Sequence, residues 1–301
     1  MYDLCYRTMN RRSFLARGFL GSCAAASIPM RATAQDNSEK LKRVGCMSGC
    51  FGSLMTEVRD WSHPSQPGKL DIMDFPEMLA DRYGIHNVEV QQFHFLSLEP
   101  SYYRKFLDHV KRAKSRMIDM PLELDEKGYS GTISPCSPDP EIRARAVDLT
   151  KQWIDRAAII ECPSVMINQG MMLPDDLGPI IEALKTLSAY GKSKNVAVIM
   201  ENRGRTPPEK LAQTIKASGT YANPDIGNFP DEETRARGLR LLYPLSITVS
   251  HVKMNAARFD FANAIRISKE MGFKGVYSLE TGGPDPYVAA QTVLDELLKN
   301  M

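Results

Sequence analysis

Eight times between residue 43 and the carboxyl terminus, a short run rich in Val, Ile or Met gives way to a longer stretch with apolar residues at helical spacing. Runs of that kind suit a parallel sheet with helices packed on it, and consecutive βα units feed such a sheet. Eight units are the number that closes it into a (β/α)8 barrel. The strand candidates are residues 43–48, 87–93, 116–121, 164–168, 197–201, 221–225, 247–253 and 275–280. Helix candidates between them include 71–83, 139–160 and 177–192. Pro207-Pro208 opens another helix and Ser218-Gly219 closes it. Asp260 caps the helix 261–271, Gly272 ends it, and Asp285-Pro286 starts the last one, 286–299.

Residues 1–34 stand outside this pattern. Asn10-Arg11-Arg12-Ser13-Phe14-Leu15 resembles a twin-arginine export motif, a weakly apolar stretch follows to Met30, and Ala32-Thr33-Ala34 supplies a small-x-small cleavage site. Arg17 and Pro29 interrupt that stretch, which is shorter than the ~20 apolar residues of a spanning helix. The expected location is therefore the periplasm, without stable membrane insertion after processing. A basic frayed tail is one alternative, and lipid anchoring at Cys23 in Leu20-Gly21-Ser22-Cys23 is another. Cleavage after Ala34 leaves 267 residues, 35–301, with no Pro/Gly/Ser linker to divide them, so one catalytic domain is expected. The removed segment carries five Arg and one Asp, which takes the net charge from +2 to −2. Such a balance offers nothing to nucleic acid or an anionic membrane surface. Cys46, Cys50, Cys136 and Cys162 remain, form no CxxC pair, and read as buried free thiols.

In a barrel of this class the active site forms at the carboxyl ends of the strands. Four polar residues stand there in the last four units: Glu201 after VAVIM, Asp225 in NPDIGN, His251 after ITVS and Glu280 after GVYSL. Their separations of 24, 26 and 29 residues each hold a loop, a helix and a returning strand, so all four face one mouth. Alone, each is an ordinary loop, turn or core residue; together they form a ligand set for one divalent ion. Carboxylate oxygens with one imidazole suit Mn first, with Mg, Co or Zn also compatible. With no cysteine in the set, a closed structural zinc site is disfavoured. Four ligands on a six-coordinate ion leave two positions for adjacent substrate oxygens. A carbonyl polarised there gives up the neighbouring C–H proton through an enediolate, and Glu201 and Glu280 are the candidate bases.

The motifs VIMENRG (198–204), NPDIGN (223–228), HVKMN (251–255) and YSLETGG (277–283) resemble those of the xylose isomerase-like TIM-barrel superfamily, in the sugar-phosphate isomerase and epimerase branch with the ketose 3-epimerases. That resemblance implies Glu201, Asp225, His251 and Glu280 as metal ligands, and Glu201 and Glu280 also as the acid/base pair. It covers residues 42–300. Asn228 stands where those epimerases carry a substrate-touching His, so the contact there differs in kind. Arg258 matches the position of an epimerase arginine that reaches substrate, with a plain loop arginine as the alternative. Lys253 is either a second polar group at its strand end or a plain barrel-rim lysine. Endonucleases of the same barrel use three zinc ions and many histidines, whereas this chain has five histidines and one in a matching position. Glu89 and Gln91, two apart on the second strand, face the same way, and with His94 and Asn168 they are either members of a buried polar network, the commoner role inside a barrel, or further substrate-binding candidates. Phe95 lies past the strand's end, where an aromatic can close a sugar pocket, and Trp61 with His63 forms either a lid or a surface turn.

The expected function is a metal-dependent sugar isomerase or epimerase. Export and the lack of a Gly-rich phosphate cradle favour a free sugar, keto-sugar or keto-glycoside over a sugar phosphate. A lyase or dehydratase working from the same enediolate is the runner-up, and a non-catalytic carbohydrate-binding barrel the third reading. Self-association into a homo-oligomer stays open.

Overall fold

Eight parallel strands form the sheet: β1 (Val44–Met47), β2 (Asn87–Glu89), β3 (Arg116–Pro121), β4 (Ser164–Ile167), β5 (Ala197–Glu201), β6 (Tyr221–Asn223), β7 (Val249–Val252) and β8 (Val276–Leu279). This computed structural model describes residues 37–301 except 64–65, 126–131, 171 and 256. The export-signal reading of residues 1–34 lies outside that range. Asn37–Met301 forms one compact unit. Its main helices are α1 (Phe75–Tyr83), α2 (Pro100–Arg112), α3 (Pro140–Ile159), α4 (Gly178–Ser193), α5 (Pro208–Ser218), α6 (Glu232–Leu242), α7 (Phe261–Glu270) and α8 (Pro286–Asn300). No helix among the described residues is long and apolar enough to cross a membrane.

Local chemistry sets these bounds. The Asp139 carboxylate accepts from the amides of Glu141 and Ile142 at the head of α3, and Asp260 and Asp285 cap α7 and α8 in the same way. Each such cap contributes about 1 kcal/mol. Gly219 ends α5 at φ +69°, a left-handed conformation that glycine adopts without a Cβ penalty. The strands are shorter than their apolar runs. β2 stops at Glu89 because a 3-10 turn at Gln92–His94 follows, and β6 stops at Asn223 before Pro224, which has no N–H to give a ladder.

The strand order is β6-β5-β4-β3-β2-β1-β8-β7, a barrel that closes everywhere except between β6 and β7. Side chains span that seam. Asn223 Oδ1 accepts from the His251 amide at 3.1 Å, and Ser250 Oγ donates to the Pro224 carbonyl at 2.6 Å. Farther up, the Ile226 amide reaches the His251 carbonyl at 3.2 Å. The main core packs the outer face of the sheet against the helices, with Val88, Val165, Leu184, Leu211, Ile265 and Leu294 buried in it. A second cluster, Ile118, Ile199, Val249 and Val276, plugs the barrel interior. The four described cysteines are buried free thiols.

Candidate metal centre

Glu201, Asp225, His251 and Glu280 converge, each offering one ligand atom within 4.8 Å of all the others. Glu201 is the last residue of β5 and His251 lies within β7; Asp225 and Glu280 follow the ends of β6 and β8. Nδ1 of His251 lies 3.1 Å from Glu201 Oε1 and 3.3 Å from Glu280 Oε2. Its other nitrogen, Nε2, is 2.7 Å from Glu89 Oε1. An N–H donated to Glu89 leaves the Nδ1 lone pair for an ion, the usual arrangement of a carboxylate behind a ligating histidine. Asp225 is fixed through its backbone: its amide donates to Asn202 Oδ1 at 2.7 Å, and Asn202 Nδ2 returns a bond to its carbonyl at 2.9 Å.

This donor set fits a hard divalent cation. Asp225 Oδ2 and Glu280 Oε2 are buried and receive no hydrogen bond. Lys253 Nζ stands 2.7 Å and 2.9 Å from these two oxygens, an ion pair off the angle of a hydrogen bond. Burial pushes the Asp225 carboxyl well above the usual carboxylate range, and Glu280 and Glu201 add to the rise against the pull of Lys253. Burial also acts to raise Glu280, but Lys253 and His251 outweigh it and hold that carboxyl low. For Lys253 burial works downward, and Asp225, Glu280 and Glu201 overcome it and raise the pKa. Crowded carboxylates of this kind are relieved by positive charge at their centre.

Lys253 can lie there only because residue 227 is glycine. A Cβ at Gly227 would come within 2.5 Å of Lys253 Cγ. Lys253 Nζ also donates to Asn228 Oδ1 at 3.2 Å.

Two cavities that share Met47, Gln91, Lys253 and Glu280 in their walls flank the quartet. One, of about 410 Å³, runs from Gln91, Lys253 and Glu280 out to Arg258. The other, of about 280 Å³, has Glu201, His251 and Glu280 on one side and Glu123, Asn168, Arg203 and Asn228 among its remaining walls. Gln91, Asn168, Asn228, Lys253 and Arg258 thus line the cavities in which the sequence reading sought substrate contacts.

Two expected contacts lie elsewhere. Glu89 is fully buried one layer below Gln91, under the quartet, where it holds His251 instead of facing substrate. The two-residue period placed both side chains inward, but barrel interiors fill in layers and only the upper one reaches the cavity. His94 is turned behind β1 by the 3-10 turn and bonds Ser48 Oγ through Nδ1 at 2.7 Å. Its burial pulls the imidazole pKa down to about 3, so it is neutral. Phe95 packs in the core against Tyr103 and Phe106. Trp61 stacks on Trp153 and donates to the Phe95 carbonyl, while His63 sits exposed beside Asp60; this is a surface turn, not a lid.

Sequence reasoning gave no role to Asn202 or Arg203, although both lie inside the VIMENRG motif, and it passed over Glu123. Arg203 Nη1 bonds Glu123 Oε2 at 3.0 Å, and Asn168 Nδ2 approaches the same oxygen at 3.3 Å. Burial raises the Glu123 carboxyl and Arg203 pulls against it. A polar residue two beyond the expected end of its strand was the available signal for Arg203. Glu123 lies in an acidic run, Glu123-Leu124-Asp125-Glu126, that reads as solvated loop.

Known proteins add to this geometry. No curated protein matches the chain. Solved structures do. A xylose isomerase domain protein from Planctomyces limnophilus superposes with a TM-score of 0.65 at 15% identity, over 86% of this chain and 96% of that one. A D-allulose 3-epimerase from a Methylomonas species, in complex with D-allulose, gives 0.64 at 12%, over 86% and 97%. A xylose isomerase-like TIM barrel protein from Mycobacterium smegmatis, in complex with magnesium, gives 0.61 at 14%, over 86% and 96%. Likeness at these identities establishes the fold. The profile of the xylose isomerase-like TIM barrel family matches residues 78–299, and the chain belongs to that family.

Proposed function

We propose that this protein is a divalent-metal-dependent sugar isomerase or epimerase that removes and returns a proton next to a carbonyl. The observation that carries the reading is the convergence of three carboxylates and one imidazole within 4.8 Å, with Asp225 Oδ2 and Glu280 Oε2 drawn together around the Lys253 ammonium, at the edge of two polar cavities. Glu201, Asp225, His251 and Glu280 would hold the ion. When bound, it supplies Lewis-acid polarisation of the substrate carbonyl and stabilises the enediolate.

The remaining work falls to the chain. Glu201 and Glu280 both approach Nδ1 of His251, and both line the smaller cavity. One carboxylate takes the proton from the carbon next to the carbonyl, and the other returns a proton from the opposite face, which inverts that centre. Lys253, held over Asp225 and Glu280, presents a fixed positive charge to substrate oxygen. Asn228 keeps Lys253 in place and can donate or accept toward a hydroxyl without titrating. Export by the twin-arginine route and a periplasmic substrate belong to the same proposal.

Metal-loaded protein in deuterium oxide, incubated with a panel of ketoses and keto-glycosides, tests it. Deuterium is expected at the carbon beside the carbonyl, dependent on metal, with an epimeric or isomeric product. A panel that shows no metal-dependent exchange overturns the proposal, and eliminated product would move the assignment to a lyase.

A further inference from the structure

Two of the four candidate ligands, Glu201 and His251, lie inside strands, where the sheet ladder fixes the backbone. Asp225 and Glu280 lie beyond the ends of β6 and β8 and are held otherwise. For Asp225 the Asn202 side chain does this, accepting from its amide and donating to its carbonyl. Glu280 is the least buried member of the quartet, so packing constrains its side chain least and its backbone matters most. Its amide reaches the Val252 carbonyl at 2.9 Å, which ties it to β7. Toward β1 the register stops at Cys46 opposite Leu279, one residue short of it. There the 3-10 turn Ser48–Leu54, which follows β1, folds Cys50 back against the end of β8. Cys50 Sγ donates to the Leu279 carbonyl at 3.1 Å and accepts from the Thr281 amide at 3.3 Å. One buried thiol thus grips the chain immediately before and immediately after Glu280. A thiol has one weak donor and a weak acceptor, and here both are in use.

We infer that Cys50 is the positioning residue of Glu280: its thiol takes over where the β1 ladder ends and sets where that carboxylate stands among the ligands. The inference rests on the function proposed above. Glu280 Oε2 lies 3.3 Å from His251 Nδ1 and 2.9 Å from Lys253 Nζ, and a small rotation of its backbone would carry it out of the ligand set. Groups that support a ligand count toward affinity because an ion binds tightly only where all its donors are aimed at one point. An apolar side chain of similar volume would fill the space of Cys50 and supply neither bond. Serine would supply both, from a shorter side chain.

The test compares wild type with Cys50→Val and Cys50→Ser under reducing conditions, by amide hydrogen exchange resolved to single residues and by manganese titration into the metal-stripped chain. In wild type the Thr281 amide is expected to exchange slowly. In Cys50→Val it should exchange freely while the Glu280 amide, bonded to Val252, stays protected, and manganese affinity should fall about tenfold. Cys50→Ser should recover most of both. Free exchange at Thr281 in wild type, unchanged manganese affinity in Cys50→Val, or a serine variant no better than the valine one overturns the inference. Loss of protection at both amides together marks general loosening and overturns it as well. Should Cys50→Val fail to fold, Cys50→Ala replaces it. Affinity that follows the variants without deuterium entering any ketose removes the proposed reaction and leaves the role of Cys50 standing. Deuterium entry with affinity blind to the variants removes only the role of Cys50, and no manganese binding by wild type overturns both.

Discussion

The two halves of the barrel carry different duties. All four candidate ligands come from the half built on β5 to β8, at or just past strand ends and one βα unit apart. From the β1 to β4 half come Glu89 beneath His251, Gln91 at the cavity wall, and Glu123 and Asn168 across from the quartet. In the proposed reaction the β5 to β8 half would concentrate charge for an ion and a proton; the other positions one of those groups and shapes what lies beside them.

Four experiments probe that division. The largest effect is expected from Glu280→Gln or Glu201→Gln, each lowering kcat by about a hundredfold to ten-thousandfold with substrate KM much less altered, by steady-state kinetics. Equal losses from Gln91→Ala would blur the division between halves. Glu89→Gln is expected to weaken metal binding about tenfold to a hundredfold, read by metal titration, since His251 loses the acceptor that orients it. Next comes Gly227→Ala, whose Cβ would meet Lys253. Overpacking there should cost about 1–3 kcal/mol in denaturant unfolding, or displace Lys253 and lower kcat.

The last effect concerns pH and leaves the site itself untouched. His94 titrates at about 3 in the folded protein and near 6.5 when unfolded, so the unfolded chain binds the extra proton first. Its contribution to stability is full above pH ~6.5 and is lost progressively as pH falls toward about 3. At pH 5 the loss is about 2 kcal/mol. Denaturant unfolding of His94→Gln should show a flatter pH dependence over that window, and an unchanged slope would place the acid sensitivity elsewhere.

The same asymmetry explains how much could be read from sequence. Eight apolar runs with helical spacers suffice for the barrel, because burial on both strand faces leaves a periodic trace. Glu201, Asp225, His251 and Glu280 were legible since each sits at the one point of its unit where side chains enter the mouth. Glu89 and His94 were not, because depth within the barrel and the 3-10 turn at Gln92–His94 leave no periodic signal. Glu123 hid in a charged run whose burial comes from Gln92 and Arg203, residues distant in sequence.

The central claim is that the β5 to β8 quartet holds one divalent ion. Elemental mass spectrometry of the protein purified without chelator, with metal titration of the stripped form, tests it directly. One ion per chain is expected in wild type, with binding abolished in His251→Ala and Asp225→Asn and retained in Asn168→Ala. No stoichiometric ion after titration, or binding unchanged by loss of His251 and Asp225, would contradict the account.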